Sequence, residues 1–188
     1  VLPHLKRIES YAGGDPAVRG RDGPVHIDRI PRDALSDAFL ASCVEAGVPK
    51  NDDYNGRQYE GVGYLQANQR RGIRRGGRES YLDPIRHRQN LRILTGARTQ
   101  KVRIEGGRAT GVEYRRNGSL HFAAAEREVI LCAGTVQSPQ LLELSGIGNR
   151  DILAKAGVPL IHHLPGVGEN CRDHLHTRIS YECSRPIT

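Results

Sequence analysis

A chain of 188 residues is long enough for a core, yet aromatic residues make up only 5% of it and apolar types 37%, beside 22 glycines. So lean a composition suits a chain that packs against further segments. The net charge is +7, no apolar run approaches the ~20 residues of a membrane-spanning helix, and no signal-peptide pattern opens the chain, so no membrane span is read in it.

Half of the Lys and Arg residues fall between Arg70 and Arg116. The blocks Arg70-Arg71 and Arg74-Arg75 could meet phosphates. No helix-turn-helix, zinc module or aromatic stacking motif accompanies them, so nucleic acid is not read as a partner.

The first third is loop-rich, with turn signals at Gly13-Gly14-Asp15-Pro16 and Asp22-Gly23-Pro24. A helix is predicted from Ala34 to Ala46, capped by Asp33, with Leu35, Phe39 and Cys43 as its apolar stripe and Gly47 and Pro49 ending it. Asn51-Asp52-Asp53-Tyr54-Asn55-Gly56 reads as a turn cluster, since it lacks the spacing and terminal Glu of a calcium loop.

Strands are predicted from Asn90 onward. Leu91, Ile93 and Thr95 alternate, as do Val102 and Ile104, and Gly106-Gly107 permits a tight turn. Gly111 to Tyr114 pairs with Leu120 to Ala123 across an Asn117-Gly118 hairpin. Glu128 to Ala133 is a nearly unbroken apolar run, as in a parallel strand covered on both faces. Gly134 then makes a turn, Ser138 caps a helix with Pro139 in its first position, and Gly146 supplies its left-handed end. A further helix runs from Arg150 to Ala156, between an Asn149 cap and Gly157, and Val158 to Ile161 is the next strand.

The cysteines Cys43, Cys132, Cys171 and Cys183 form no Cys-x-x-Cys pair, and no disulfide framework is expected. Cys132 is expected to be buried in its strand. His162-His163, and His174 with His176 beside Asp173, could cluster as metal ligands.

The stretch from Gly134 to Gly148 resembles the second signature of the glucose–methanol–choline family of flavin-dependent alcohol oxidoreductases. Pro165-Gly166-Val167-Gly168-Glu169-Asn170-Cys171-Arg172-Asp173-His174 resembles the segment after that signature, and Asn90 to Ala97 and Arg108 to Tyr114 resemble strands before it. Asp22-Gly23-Pro24 and Asp52 to Gly56 are most similar to the choline-dehydrogenase-like branch.

The resemblance implies a mixed α/β fold: part of an FAD-binding domain, with a β-meander, a central parallel strand and short helices, plus a segment of the substrate-binding domain. It divides the chain into residues 1–66 on the substrate-domain side, 67–170 in the FAD-binding domain and 171–188 returning to the substrate domain. It implies oxidation of the CH–OH group of a small-molecule alcohol, with FAD as cofactor. Thr99, through its backbone, and the small residues Ala133 and Gly134 are the expected contacts to the adenosine end of FAD.

The resemblance also implies a Gly-x-Gly-x-x-Gly fingerprint upstream and a catalytic His downstream. The chain therefore reads as an internal fragment with no catalytic residue of its own, no metal site, and weak or absent FAD binding. It accounts for Asp173-His174 without a metal. In Arg74 to Leu82 the chain departs from the family: Gly76 replaces a small polar residue and Ser80 an Ala, and two adjacent glycines should loosen the backbone. The competing expectation is a non-catalytic scaffold or interaction module without cofactor. The sequence leaves the oligomeric state open, and the compartment too, with the cytoplasm favoured.

Overall fold

Whether an extended run finds a hydrogen-bonding neighbour decides which of the expected strands form in the computed structural model, which describes residues 1–184. The fold is mixed α/β, and the described residues divide into two units, 1–92 with 180–184, and 93–179.

The first unit opens with helix α1 (Leu2–Ile8), which carries a proline in its first turn. Strands β1 (Glu9–Tyr11) and β2 (Val25–Arg29) pair in parallel. Helix α2 (Ala34–Glu45) follows, and the Asp33 carboxylate accepts the Ser36 N–H at 2.8 Å, the cap expected from the sequence. Strand β3 (Gln66–Ala67) returns antiparallel to β2, completing the order β1-β2-β3. Strands β4 (Gln69–Arg70) and β5 (Ile73–Arg74) form a small hairpin. Tyr11 and Arg19 are buried in this unit.

Two expectations for this unit are corrected. The stripe on α2 does not face inward: Leu35 and Phe39 are 44% and 63% exposed. The Tyr64 hydroxyl bonds to Asp37 at 2.9 Å, so α2 turns Asp37 and Leu40 toward the side it shares with Ile30 and Tyr64. Around Gly76-Gly77 the chain is not loose. A π-helical turn spans Arg78–Leu82, the Gly76 N–H donates to Glu79 Oε2 at 3.0 Å, and its carbonyl accepts the Ser80 N–H at 3.0 Å.

The second unit is built on the expected meander. Strands β6 (Arg98–Glu105), β7 (Arg108–Arg116) and β8 (Ser119–Ala124) pair antiparallel in the order β6-β7-β8. Arg116 faces Ser119 across the hairpin, with Asn117 at φ 49° and Gly118 at φ 80°. Helix α3 (Gly134–Leu144), strand β9 (Ile147–Gly148), helix α4 (Arg150–Lys155) and strand β10 (His162–His163) follow, with β9 and β10 parallel. Asn149 caps α4 through the Asp151 and Ile152 amides, as expected. Leu153, 1% exposed, with Val102, Val167 and Ser145 forms the buried centre.

Here too the structure departs from the sequence reading. Glu128 to Ala133 is unpaired rather than a buried strand, and Ile130 is 72% exposed. Leu91 to Thr95 likewise joins no sheet. Apolar alternation gives a segment strand propensity, but a ladder needs a neighbour, and among the described residues neither run has one. The strand expected at Val158 to Ile161 forms instead at His162 and His163, which pair with Ile147 and Gly148. The helix expected to begin near Ser138 begins at Gly134 and carries Pro139 in its interior, where no N–H is available to bond back one turn.

Candidate functional site

Two local features shape the region of the predicted cofactor residues. In β6, Thr99 faces Tyr114 and Lys101 faces Glu113, so Gln100 is an extra, bulged residue on the edge strand. Bulges kink an edge and re-aim the side chains beside it. At the start of α3, Gly134 takes φ 84°, a conformation that disfavours any residue with a Cβ. Added there, a Cβ would meet nothing within 4 Å, so backbone conformation, and not close packing, requires glycine. Ser138, inside the helix, reaches back to accept the Ala133 N–H at 3.1 Å, satisfying one of the free donors at the helix start.

These features bring Thr99 and Ala133 to one concavity. A cavity of about 610 Å³ is walled by Gly96 to Gln100 on one side and by Ala133, Gln137, Gln140, Leu141 and Leu144 on the other. Thr99, Ala133 and Leu141 also line a second hollow of about 460 Å³, which runs along Glu128 to Cys132. Thr99 and Ala133 are half-buried. Gly134 is exposed and adjoins the cavity only through Ala133. The lining combines apolar Ala97, Leu141 and Leu144 with the amides of Gln100, Gln137 and Gln140, and Arg98 supplies a positive charge. Apolar walls with a few polar groups suit a planar, hydrogen-bonding ligand. The first turn of α3 adds the positive end of a helix dipole.

The first unit holds a cavity of similar size, about 640 Å³, beside α2, but none of the predicted site residues lines it. The histidines do not gather: among the described residues no group of three His, Cys, Asp or Glu side chains could hold a metal. All four cysteines are free thiols, and Cys132 is exposed because its segment is not a covered strand. No helix of the described residues is long and apolar enough to cross a membrane.

Sequence reasoning missed two clusters. Ser145, which caps the end of α3, is 4% exposed and ties α3 to β6. Arg19 is 2% exposed and gathers Glu9, Asp53 and Gln66. Ser145 lay within the quoted signature and could have been suspected there. Arg19 lies in a turn-rich loop without periodicity, and its partners come from distant segments.

The family described as GMC oxidoreductase matches residues 1–176. Mitochondrial choline dehydrogenase of Homo sapiens is 44% identical over the whole chain, which covers 32% of that protein. The pyridoxine 4-oxidase of Mesorbium loti superposes with a TM-score of 0.81 at 32% identity, over 87% of this chain and 33% of its own. An FAD-dependent oxidoreductase from Chaetomium thermophilum superposes with a TM-score of 0.79 at 26% identity, over 88% of this chain and 31% of its own. The chain thus spans about a third of the length of these relatives. With the family match running from Val1 into the segment after α4, the chain belongs to the GMC oxidoreductase family.

Proposed function

We propose that this chain is part of an FAD-dependent oxidoreductase that oxidises the CH–OH group of a small alcohol, as the name of its choline dehydrogenase relative suggests. Within the second unit, Thr99 and Ala133 hold the adenosine end of FAD, with the Gly134 turn beside them. The observation that carries this reading is that Thr99 and Ala133, far apart in sequence, wall one cavity. Its volume of about 610 Å³ falls in the ordinary range for small-molecule sites.

The residues present fit an adenosine. The three glutamine amides can donate to and accept from a purine edge, and Leu141 and Leu144 offer apolar surface to its face. When bound, the flavin supplies the hydride acceptor, while the protein supplies position and electrostatics. No Gly-x-Gly-x-x-Gly occurs in the 188 residues, so a pyrophosphate cradle of that type is not among them. The division into residues 1–66, 67–170 and 171–188 remains our proposal for the domain organisation.

The test is a titration of the chain with FAD and with ADP, followed by flavin fluorescence and calorimetry. Weak binding of both is expected, with Ala133→Leu, which fills the cavity wall, lowering affinity about tenfold or more. Turnover of choline and simple alcohols with a dye acceptor should be undetectable. Binding unaffected by Ala133→Leu would remove the cavity from the reading, and turnover by the chain alone would overturn the view that further segments are needed.

A further inference from the structure

In the first unit one buried side chain ties a long loop to the sheet. Arg19 sits in the loop between β1 and β2 and is 2% exposed. Its Nε donates to Glu9 Oε2 at 3.0 Å and its Nη1 to Gln66 Oε1 at 2.9 Å, and the guanidinium also meets the Asp53 carboxylate. The same guanidinium lies 4.2 Å over the Tyr11 ring. Glu9 in turn accepts the Gly20 N–H at 2.9 Å. The loop and the 51–56 turn are packed closely: a Cβ on Gly14 would collide with Asp53 Oδ2. That oxygen is buried and has no hydrogen-bond partner.

We propose that Arg19 is an acid-released latch that holds the β1–β2 loop and the 51–56 turn closed as one piece. A buried guanidinium between two carboxylates is stable only while they carry charge, because a buried ion stripped of its partners is costly. Neutralising Glu9 removes one of the two ion pairs and leaves the buried Arg19 undercompensated. Arg19 is the buried ion-pair tie of the loop among the described residues. Asp15 pairs with Arg57 at 2.7 Å, but both side chains are largely exposed and the pair adds little.

Other charged groups face the cluster. From β2, Arg29 donates to the Tyr11 hydroxyl at 3.2 Å and to the Asp52 carbonyl at 2.8 Å. From α1, Lys6 donates to the carbonyls of Pro16 and Ala17. Within the loop, Arg21 donates to the carbonyls of Tyr11, Gly13 and Gly14. These side chains bond to carbonyl and hydroxyl oxygens, so release rests with Glu9.

The sign follows from Glu9. Burial alone would raise its pKa, but hydrogen bonds from Arg19 and the Gly20 amide outweigh burial and hold it below the ordinary carboxylate range. A depressed folded-state value means that the stabilisation is complete above the unfolded-state value and is lost as pH falls through the folded one. The latch is therefore closed at neutral pH and opens in acid.

The experiment is amide hydrogen exchange by NMR on the chain between pH 7 and pH 3.5, corrected for intrinsic rates. The reporters are the Tyr11, Gly20 and Gly23 amides, which bond to the Gly20 carbonyl, the Glu9 carboxylate and the Glu9 carbonyl. Their opening constant should rise about tenfold or more on acidification, the scale of a lost charge-assisted bond. Amides of the β6–β7 ladder should keep their protection. In a Glu9→Gln, Asp53→Asn variant the reporters should be open already at pH 7 and nearly flat with pH, whereas Arg57→Ala should keep the parent profile. If the double variant does not fold, Glu9→Gln alone is read, and a reduced pH slope supports the latch. Flat protection of the parent chain to pH 3.5, an undiminished slope in the variant, or simultaneous opening of the β6–β7 amides would each overturn it.

Discussion

The Ser145 hydroxyl accepts the Val102 N–H at 2.8 Å, fastening the last turn of α3 to the edge strand β6. Both residues are buried, and the same hydroxyl donates to the Leu141 carbonyl. An edge strand has N–H groups with no ladder partner, and a buried one must find an acceptor elsewhere. Through this bond the helix that carries Gln137, Gln140 and Leu141 and the strand that carries Thr99 keep their spacing around the candidate cavity.

Ser145→Ala should therefore destabilise the second unit by about 1–3 kcal/mol, because it leaves the Val102 N–H buried without an acceptor. Urea denaturation followed by circular dichroism measures this. A variant as stable as the parent would show that water or a backbone shift replaces the hydroxyl at no cost.

Gly134 and Gly146 should respond differently to alanine. Both have left-handed backbones, at φ 84° and φ 82°. At Gly134 a Cβ has open space, so the cost is conformational alone, about 1–2 kcal/mol. At Gly146 a Cβ would also come within 2.6 Å of the Pro159 carbonyl, which adds about 1–3 kcal/mol of overpacking. Equal melting temperatures for the two variants would contradict this ordering.

If Thr99 meets the adenosine through its backbone, its side chain can change while its strand geometry cannot. Thr99→Val should bind ADP within about twofold of the parent, since the two side chains are nearly the same size and both favour strands. Thr99→Pro should lose binding, because it disturbs β6 beside its bulge. Loss of binding in Thr99→Val with the fold intact would assign the contact to the hydroxyl instead.

The α2 cap should make its helix acid-sensitive. Hydrogen bonds from the Ser36 hydroxyl and amide hold the Asp33 carboxyl below its ordinary range. Its contribution is therefore present above the usual value of about 4 and is lost as pH falls through the lower folded value. Helical ellipticity should fall over that window in the parent chain. Asp33→Ala should already show the reduced signal at pH 7, and a parent-like acid transition in that variant would assign the change to other carboxylates.

By itself the sequence determined what is local. The Asp33 and Asn149 caps, the Asn117-Gly118 hairpin and the two-glycine turn at Gly106 each depend on a few adjacent residues, and each appears where the sequence puts it. The family was legible for a related reason, since its motifs are short runs with fixed spacing. The tertiary structure decided what depends on distant partners. Glu128 to Ala133 has a strand's composition but gains no ladder without a neighbour, and its exposure follows. The inward face of α2 was set by Tyr64, and the start of α3 by the Gly134 turn and the reach of Ser138 to Ala133. Burial of Arg19 required Glu9, Asp53 and Gln66 to converge from three separate segments, and no spacing in the chain encodes that convergence. Thr99 and Ala133 likewise became neighbours of one cavity only when α3 packed beside β6, because hydrogen bonds and close packing act between atoms in space, whatever their separation along the chain.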